Sequence, residues 1–249
     1  METVSLILTT FNCRENLKRT LQNIEKQDYP AIEIVIKDGA STDGTLRVIK
    51  DYKNKSKYQV VYCSEADKGI YDAMNKGYKL STGTIIAFFN DLFLAENAVS
   101  VMVEAIGRAG VGLTGAHADL IYATDNKIKR YWRTKNGKIQ WGWMPGHPTL
   151  YLRREVYEEF GLYNTSYRCS GDYEFMVRIL KDNQVKLSYV PQTLIRMYYG
   201  GTSTGDSSAY WVSVKEAHRA LCENHVAFAW WVVFLRTLRT IPQFLVKNR

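Results

Sequence analysis

The first 90 residues alternate between two hydrophobic periods, and this alternation limits the possible folds more than any other feature of the chain. Strand-like apolar runs are separated by segments with apolar residues at helical spacing. Strands are predicted over residues 4–9, 32–37, 59–63 and 85–89, and helices over residues 15–27, 45–52 and 70–80. Strands that alternate with helices are typical of a parallel sheet covered by helices. Ligands of such sheets bind beyond the carboxyl ends of the strands, so the candidate loops are 9–14, 37–45, 63–70 and 90–95.

The second part of the chain has a different pattern. Residues 95–108 predict a helix, and residues 116–134 predict two strands joined around Asp125 and Asn126, as in a hairpin. A further helix is predicted in "SGDYEFMVRILKDN", and from Ser207 onwards the chain is predicted to be helical. We therefore expect a catalytic domain over 1–205, with halves 1–95 and 96–205, and a helical segment over 206–249.

Composition predicts a globular, intracellular protein. With 46% hydrophobic and 23% charged residues in 249, the chain can bury a sizeable core. Its cysteines are far apart, without the CxxC or histidine spacing of a zinc site; they are Cys13, Cys63, Cys169 and Cys222. No secretion signal opens the chain, and no apolar run reaches the ~18 residues of a membrane span. A cytoplasmic location is expected, and no nucleic-acid partner.

The loop "KDGASTDGT", residues 37–45, follows the second strand and leads into a helix. Its Asp-Gly pairs allow a tight reversal, so a well-formed turn is one interpretation. The other is functional, because Asp38 leaves the strand at the carboxyl edge of the sheet, where a carboxylate can accept a base N–H or a ribose hydroxyl. The loop does not have the GxGxxG spacing of dinucleotide enzymes.

The stretch "SEADKGIYDAMNKG" begins just before the third predicted helix. Asp67 and Lys68 place an acid and a base beside the helix N-terminus, which favours a diphosphate and sugar contact. A capped, solvated helix start is the alternative.

Several motifs in order resemble the family 2 inverting glycosyltransferases of GT-A fold, particularly the bacterial polysaccharide and lipopolysaccharide assembly enzymes. They are "LILTTFN", "DGASTDGT", "SEADKGIYDAMNKG", a strand that ends in Asn-Asp, "GHPTLYLRREVYEEFG" and "SGDYEFMVRI", and they span about residues 3–205. The resemblance implies a Rossmann-like, mostly parallel sheet and transfer of a sugar with inversion. The donor would be a nucleotide-sugar, most often a UDP-sugar, and the acceptor a saccharide, often lipid-linked.

The resemblance also implies roles for individual residues. Thr9 and Phe11 would flank the nucleotide base, Asp38 would bind it, and Asp67 would lie beside the ribose or the sugar. Asp172 matches the carboxylate that acts as general base, a role that lowers the barrier because the attacking hydroxyl must lose its proton. A helix-start acid favoured by the helix dipole is the alternative for Asp172. His147 would border the acceptor, although a single histidine is more often structural.

The metal loop departs from the family pattern. Members of the family generally have Asn-x-Asp-Asp after the fourth strand, whereas this chain has Asn90-Asp91, about two residues shorter and with one acid. Asp91 could still ligate Mg²⁺ or Mn²⁺ when the diphosphate and water supply the other ligands, because Mg²⁺ often takes one or two protein carboxylates. Metal affinity without donor is then expected to be weak. A degenerate relative with impaired catalysis stays open as an alternative.

The last 24 residues combine aromatic and basic positions. An apolar set falls near one side of a helix, with basic residues offset from it; the apolar set is Trp230, Trp231, Phe234, Leu238 and Ile241, and the basic set is Arg236, Arg239 and Lys247. The segment is too short to span a bilayer but suited to lie in the interface of an anionic membrane, here the inner face of the cytoplasmic membrane. Packing against the catalytic domain or a partner subunit is the alternative.

Two rival functions follow from the same residues. A sugar nucleotidyltransferase shares the α/β sheet but needs a Gly-rich basic loop after the first strand, which "TTFNCREN" lacks. The other is a nucleotide-sugar-binding protein that lost catalysis with the second acid of the metal loop.

Overall fold

A computed structural model describes residues 1–198 and 207–245. Its first half alternates strands and helices as predicted, with strand boundaries within one residue of the expected ones. The elements are β1 (Val4–Thr10), α1 (Arg14–Ile24), β2 (Ile32–Asp38), α2 (Thr45–Lys53), β3 (Gln59–Ser64), α3 (Ile70–Leu80) and β4 (Ile85–Phe88).

The second half adds short strands, the predicted hairpin and the helices. The elements are β5 (Leu92–Phe93), α4 (Ala98–Ala109), β6 (Thr114–Thr124), β7 (Lys127–Trp132), β8 (Tyr151–Arg153), α5 (Arg154–Phe160), α6 (Gly171–Leu180), β9 (Lys186–Tyr198), α7 (Ser207–Glu223) and α8 (Ala229–Thr240). Three 3₁₀ turns lie at Ile139–Trp141, His147–Thr149 and Ile241–Phe244. The hairpin is confirmed, because β6 and β7 pair antiparallel around the turn at Asp125 and Asn126.

The strands form one mixed sheet in the order β3-β2-β1-β4-β8-β6-β9-β5, with β7 paired to β6. Strands β1 to β4 are parallel to one another, and β8 joins them antiparallel. The register pairs Thr10 with Asp38 and Asp38 with Ser64, so the ends of three strands lie side by side. The predicted candidate loops therefore do meet at one edge.

Helices cover both faces of the sheet and bury a core on each. On one face α1, α2 and α4 pack on β1, β2 and β4 through residues such as Leu21, Ile49 and Met102. On the other, α3, α5 and α6 pack around Tyr157, Phe175 and their neighbours. Each large apolar side chain buried here contributes about 1.5–3 kcal/mol relative to exposure.

Strand β9 is not predicted by the sequence pattern, because it contains Pro191, which argues against a central strand. In the structure its pairing with β6 shifts register between Val190 and Thr193, and this irregularity accommodates the proline.

The two C-terminal helices are held by the same core. Ala217, Ala220 and Leu221 of α7 and Val232 and Val233 of α8 are buried with α6. The alternative of packing against the catalytic part is thus correct for one face of α8. Across residues 1–198 and 207–245, no helix is both long and apolar enough to cross a membrane. Lys247 and the domain boundary predicted at residue 205 lie outside the described residues.

Candidate active site

Asp38 holds together the ends of three strands. It is the last residue of β2 and is 0% exposed. Its Oδ1 accepts hydrogen bonds from Thr10 Oγ1 at 2.9 Å and Ser41 Oγ at 2.5 Å, and its Oδ2 accepts from the Ser41 N–H at 3.0 Å and Ser64 Oγ at 2.6 Å. Burial alone would raise the pKa of Asp38, but these hydrogen bonds together hold that pKa below its ordinary value. The expectation of a carboxylate displayed on a loop is therefore wrong, because local hydroxyls enclose it.

A fully buried lysine supports the loop that carries Asp67. Lys37 Nζ donates to the carbonyl oxygens of Asp38 at 2.7 Å and Glu65 at 2.6 Å, and lies 3.8 Å from Asp67 Oδ2. Asp67 Oδ1 also accepts the Gly69 N–H at 3.0 Å. The sequence does not single out Lys37, because a lysine near the end of a strand usually lies on the surface.

Gly39 is the point where the donor-side residues converge. A Cβ at this position would lie 2.8 Å from Asp67 Oδ2 and 3.2 Å from the Phe11 ring. Phe11 is 67% exposed. An exposed aromatic ring is suited to stack on a planar base. The structure thus brings Phe11, Asp38 and Asp67 together at Gly39 and Lys37.

Thr9 is tied to the end of the fourth strand. Its N–H donates to Asn90 Oδ1 at 3.2 Å, and Asn90 Nδ2 donates to Thr9 Oγ1 at 3.1 Å. Because Asn90 makes both bonds to Thr9, it closes the sheet edge between β1 and β4. Thr9 lies at the predicted edge with its hydroxyl engaged.

Asp91 does not display its carboxylate as a metal ligand should. It is 8% exposed, and its Oδ1 accepts the backbone N–H of Tyr198, at the end of β9, at 3.3 Å. Burial raises the pKa of Asp91 to about 7, against the lowering effect of that N–H. Within the described part of the chain, no group of three or more His, Cys, Asp or Glu side chains is placed to hold a metal ion. As the residues lie, they do not fit a divalent cation.

Asp172 lies in the first turn of α6, half-buried. Tyr71, on α3, donates its hydroxyl to Asp172 Oδ1 at 3.3 Å. Burial, and next the charge of Asp172, raise the pKa of Tyr71 above its ordinary value, so the phenol keeps its proton. The carboxylate lies at the positive end of the α6 dipole.

The helix start that carries Asp172 is fixed from α7. The Glu216 carboxylate accepts the backbone N–H groups of Arg168, Cys169 and Ser170, each at 2.8 Å. Three charge-assisted bonds to consecutive amides leave this segment little freedom. Sequence reasoning did not find Glu216, because nothing in the helical pattern of α7 marks it.

His147 lies beside the same group of side chains. Its Nε2 is 2.9 Å from the Tyr163 hydroxyl, and its ring stacks on Phe88. Burial lowers the pKa of the His147 imidazole below its ordinary value, while the charge of Asp172 acts in the opposite direction. Tyr163 in turn stacks on Tyr71, with ring centroids 5.9 Å apart. A continuous aromatic path therefore runs from His147 to the phenol that contacts Asp172.

Asn75, on α3, is hydrogen-bonded to the backbone of Tyr163, in the loop between α5 and α6. Its Nδ2 donates to the carbonyl oxygen of Tyr163 at 2.8 Å, and its Oδ1 accepts the Tyr163 N–H at 3.0 Å. A cavity of about 210 Å³ opens between the start of α3 and the loop before α6. Its lining includes Lys68, Gly69, Tyr71, Tyr167 and Arg168.

Curated relatives of the chain are glycosyltransferases. A "PGL/p-HBAD biosynthesis glycosyltransferase" of Mycobacterium bovis (strain BCG / Pasteur 1173P2) is 27% identical over 214 residues, covering 80% of this chain and 78% of that protein. The "Dolichyl N-acetyl-alpha-D-glucosaminyl phosphate 3-beta-D-2,3-diacetamido-2,3-dideoxy-beta-D-glucuronosyltransferase" of Methanococcus voltae is 29% identical over 226 residues, covering 82% and 68%.

Solved structures share the fold at low identity. S. aureus TarS 1–349 in complex with UDP-GlcNAc superposes with a TM-score of 0.71 at 16% identity, covering 95% of this chain and 72% of that one. The mannosyltransferase PcManGT from Pyrobaculum calidifontis, in complex with GDP-Man and Mn²⁺, superposes at 0.65 and 17% identity, covering 100% and 76%. The chain spans 43% of the longer S. aureus TarS chain.

The family model of these enzymes, Glycosyl transferase family 2, matches residues 5–178. This range runs from β1 almost to the end of α6, and of the site residues described above only Tyr198 and Glu216 lie outside it. The chain therefore belongs to glycosyl transferase family 2 and is a glycosyltransferase of GT-A fold.

Proposed function

We propose that this glycosyltransferase moves a sugar from a UDP-sugar to a hydroxyl of a saccharide acceptor, with inversion at the anomeric carbon. The observation that carries this assignment is the contrast between two carboxylates of the site. Asp38 is enclosed by four hydrogen bonds, whereas Tyr71 is the one side chain of the described residues that donates to Asp172. Asp172 is thus the carboxylate with acceptor capacity left for a substrate proton.

The reaction is a single displacement. The acceptor oxygen bonds to the anomeric carbon as Asp172 takes its proton, and the bond from that carbon to the diphosphate oxygen breaks with its electron pair on the leaving group. Attack opposite the leaving group inverts the centre. A positioned general base contributes about 10²–10⁴-fold in rate. The backbone N–H groups before α6 that donate to Glu216, and the Tyr71 hydroxyl that donates to Oδ1 of Asp172, hold the general base in place.

We propose that the nucleobase of the donor binds against the exposed ring of Phe11 and at the strand ends that carry Thr9 and Asp38. Asp67, held by Lys37 and the Gly69 N–H, would meet the ribose or the sugar. Asp38 would contact the nucleobase while it keeps its hydrogen bonds to Thr10, Ser41 and Ser64. His147, joined to Tyr163, would border the acceptor.

We expect Mg²⁺ or Mn²⁺ to bind only together with the donor diphosphate. The name of the PcManGT complex includes Mn²⁺. In this chain Asp91 would have to break its hydrogen bond with the Tyr198 N–H to reach a cation, so we assign no part of the displacement to a metal ion. The buried Asp91 also favours a second candidate, a nucleotide-sugar-binding protein with impaired transfer.

We assign a lipid-linked acceptor, in the synthesis of a bacterial surface glycan; the lipid link is supported by one relative, whose name gives a dolichyl N-acetylglucosaminyl phosphate as its acceptor. We divide the work of the chain accordingly. Residues 1–95 would bind the donor, residues 96–205 the acceptor, and residues 206–249 would hold the protein at the membrane.

The test compares wild type with Asp172→Asn. UDP binding is measured by thermal shift, and turnover by release of UDP from UDP-sugars with a panel of saccharide acceptors, with and without Mn²⁺. We expect binding in both proteins and turnover in the wild type alone. UDP binding without release by the wild type in any condition would favour the binding protein, and absence of UDP binding would exclude the assigned donor.

A further inference from the structure

Helix α8 presents a ridge of large apolar side chains to solvent. Trp230, Trp231, Phe234 and Leu238 are between 42% and 60% exposed. At 3.6 residues per turn they fall within an arc of about 100°. The opposite side of α8, with Val232 and Val233, is the side that packs in the core. We call these four exposed residues the aromatic ridge.

Neighbouring elements extend this surface. The 3₁₀ turn that follows α8 contributes Ile241 and Phe244, both more than half exposed, and is fixed on β7 by Arg130, whose Nε donates to Gln243 Oε1 at 2.7 Å. On the other side, Arg239 Nε donates to the carbonyl oxygen of Trp141 at 2.8 Å, and Trp141 is itself exposed. Strand β7, the turn at Ile139–Trp141 and α8 therefore form one continuous face.

The chain segments that form this face carry charges of one sign. Residues 126–154 and 224–249 contain no Asp or Glu. Exposed cations of these segments lie on β7, on the loop that follows it and on α8, and we call them the cationic border: Lys127, Lys129, Arg133, Lys135, Lys138 and Arg239. The acids at the ends of the adjoining elements are paired, Asp125 with Arg196 and Glu223 with Arg219. The face therefore combines large exposed apolar side chains with positive charge.

We propose that this face docks on a bilayer rich in anionic lipid, with α8 lying in the plane of the interface. Tryptophan and phenylalanine bind at the level of the headgroups, and lysine and arginine beside them attract anionic lipid. A second copy of the chain fits the surface less well, because a two-fold interface would bring the same positive border against itself.

The docking face is connected to the catalytic helix. The Arg236 guanidinium lies over the ring of Tyr173, 4.4 Å from its centroid, and Tyr173 follows Asp172 in α6. An acceptor with its lipid in the same bilayer would thus reach the site from the side on which α8 rests. This connection rests on the proposed function, whereas the docking does not.

The experiment is co-sedimentation of the full chain with vesicles of phosphatidylcholine alone or mixed with phosphatidylglycerol, at low and high salt. We expect the wild type to pellet with the anionic vesicles at low salt and to be released by salt. Replacing Trp231, Phe234 and Leu238 together by Gln, which keeps helix propensity, should weaken binding at least tenfold.

Two variants with the same change in net charge test the cationic border. Lys127→Ser/Lys129→Ser/Lys138→Ser should weaken binding on the order of 100-fold, since each cation near the surface contributes about fivefold. Lys18→Ser/Lys50→Ser/Lys55→Ser, on α1, on α2 and in the turn after α2 at the other side of the sheet, should weaken it much less. Equal loss in both would mean attraction by net charge alone and overturn the proposal.

Three further results would overturn it or separate it from the proposed function. Wild type that stays in solution with anionic vesicles at low salt excludes the docking. If light scattering finds a dimer of the wild type and a monomer of the Gln variant, the aromatic ridge binds a second copy of the chain. A Gln variant that keeps the UDP thermal shift and turnover on a soluble saccharide shows that loss of docking is not loss of the fold or of the transfer reaction.

Discussion

The main effect of Asp38→Ala should be a lower free energy of unfolding, rather than a direct loss of nucleotide binding. The carboxylate accepts hydrogen bonds from Thr10, Ser41 and Ser64 and is fully buried at the carboxyl edge of β2. A hydrogen bond to a charged group contributes about 1.5–3 kcal/mol net, and a buried donor left unpaired costs about 1–3 kcal/mol. Because the bonds share two oxygens and small hydroxyls can turn to other partners, they are not additive, and we expect a loss of about 3–5 kcal/mol.

Asp38→Asn separates shape from charge. The amide fills the same space but presents N–H groups to two of the four donors, so a loss of about 2–3 kcal/mol is expected. The hydrogen bonds hold the pKa of Asp38 below its ordinary value, so the carboxylate contributes stability above the unfolded pKa of about 4, and this contribution is lost as the pH falls through the folded pKa. The difference between wild type and Asn variant should therefore shrink on acidification.

Urea unfolding followed by circular dichroism gives both quantities, at neutral pH and at steps below pH 5. Ser64→Ala, which removes one bond, is the matched control and should cost about 1–2 kcal/mol. An Asp38→Ala protein within about 1 kcal/mol of wild type that has lost UDP binding would refute the reasoning, and would show that this carboxylate is free to serve the base directly.

Further variants test other parts of the site. Asp172→Asn should keep UDP affinity near wild type and lower turnover by about 10²–10⁴-fold, and near-normal turnover would place the base elsewhere. Glu216→Ala should lower turnover with UDP binding unchanged, whereas equal effects on both would make its role general packing. Asp91→Asn should become more stable relative to wild type as the pH rises. Burial raises the pKa of Asp91 to about 7, so the wild type loses stability between the unfolded pKa and that value. Free energies of unfolding in urea that differ by the same amount at every pH would contradict this. Asn75→Ala should lose about 1–3 kcal/mol in urea, and a smaller loss would mean that its two bonds to Tyr163 are not cooperative.

Local patterns predicted the parts of the fold that depend on local chemistry. The alternation of periods located β1 to β4 and α1 to α3, and parallel pairing then required their loops to meet. Strand β9 was not predictable, because Pro191 is tolerated only through an irregular register with β6, a non-local arrangement.

The site shows the same division. Residue types at strand ends indicated Asp38 and Asp67, but the sequence could not show that Thr10 and Ser64, 28 and 26 positions from Asp38, would enclose one carboxylate. Nor could it show that Asp91 would turn to the N–H of Tyr198, 107 positions away. For α8, the packing interpretation is correct for the side that lies in the core, and the membrane interpretation stays a prediction for the side that faces solvent.

The burial of Lys37 makes it an internal reporter of the donor loop. An amine that donates to two carbonyl oxygens and has no exposed surface cannot be acylated by a water-soluble reagent until the segment around Glu65 opens. Its rate of labelling, read by peptide mass against a surface lysine such as Lys50, therefore measures how often that segment is open. A ligand that closes over Asp67 would slow the modification of this one residue while the surface lysine continues to react at its usual rate.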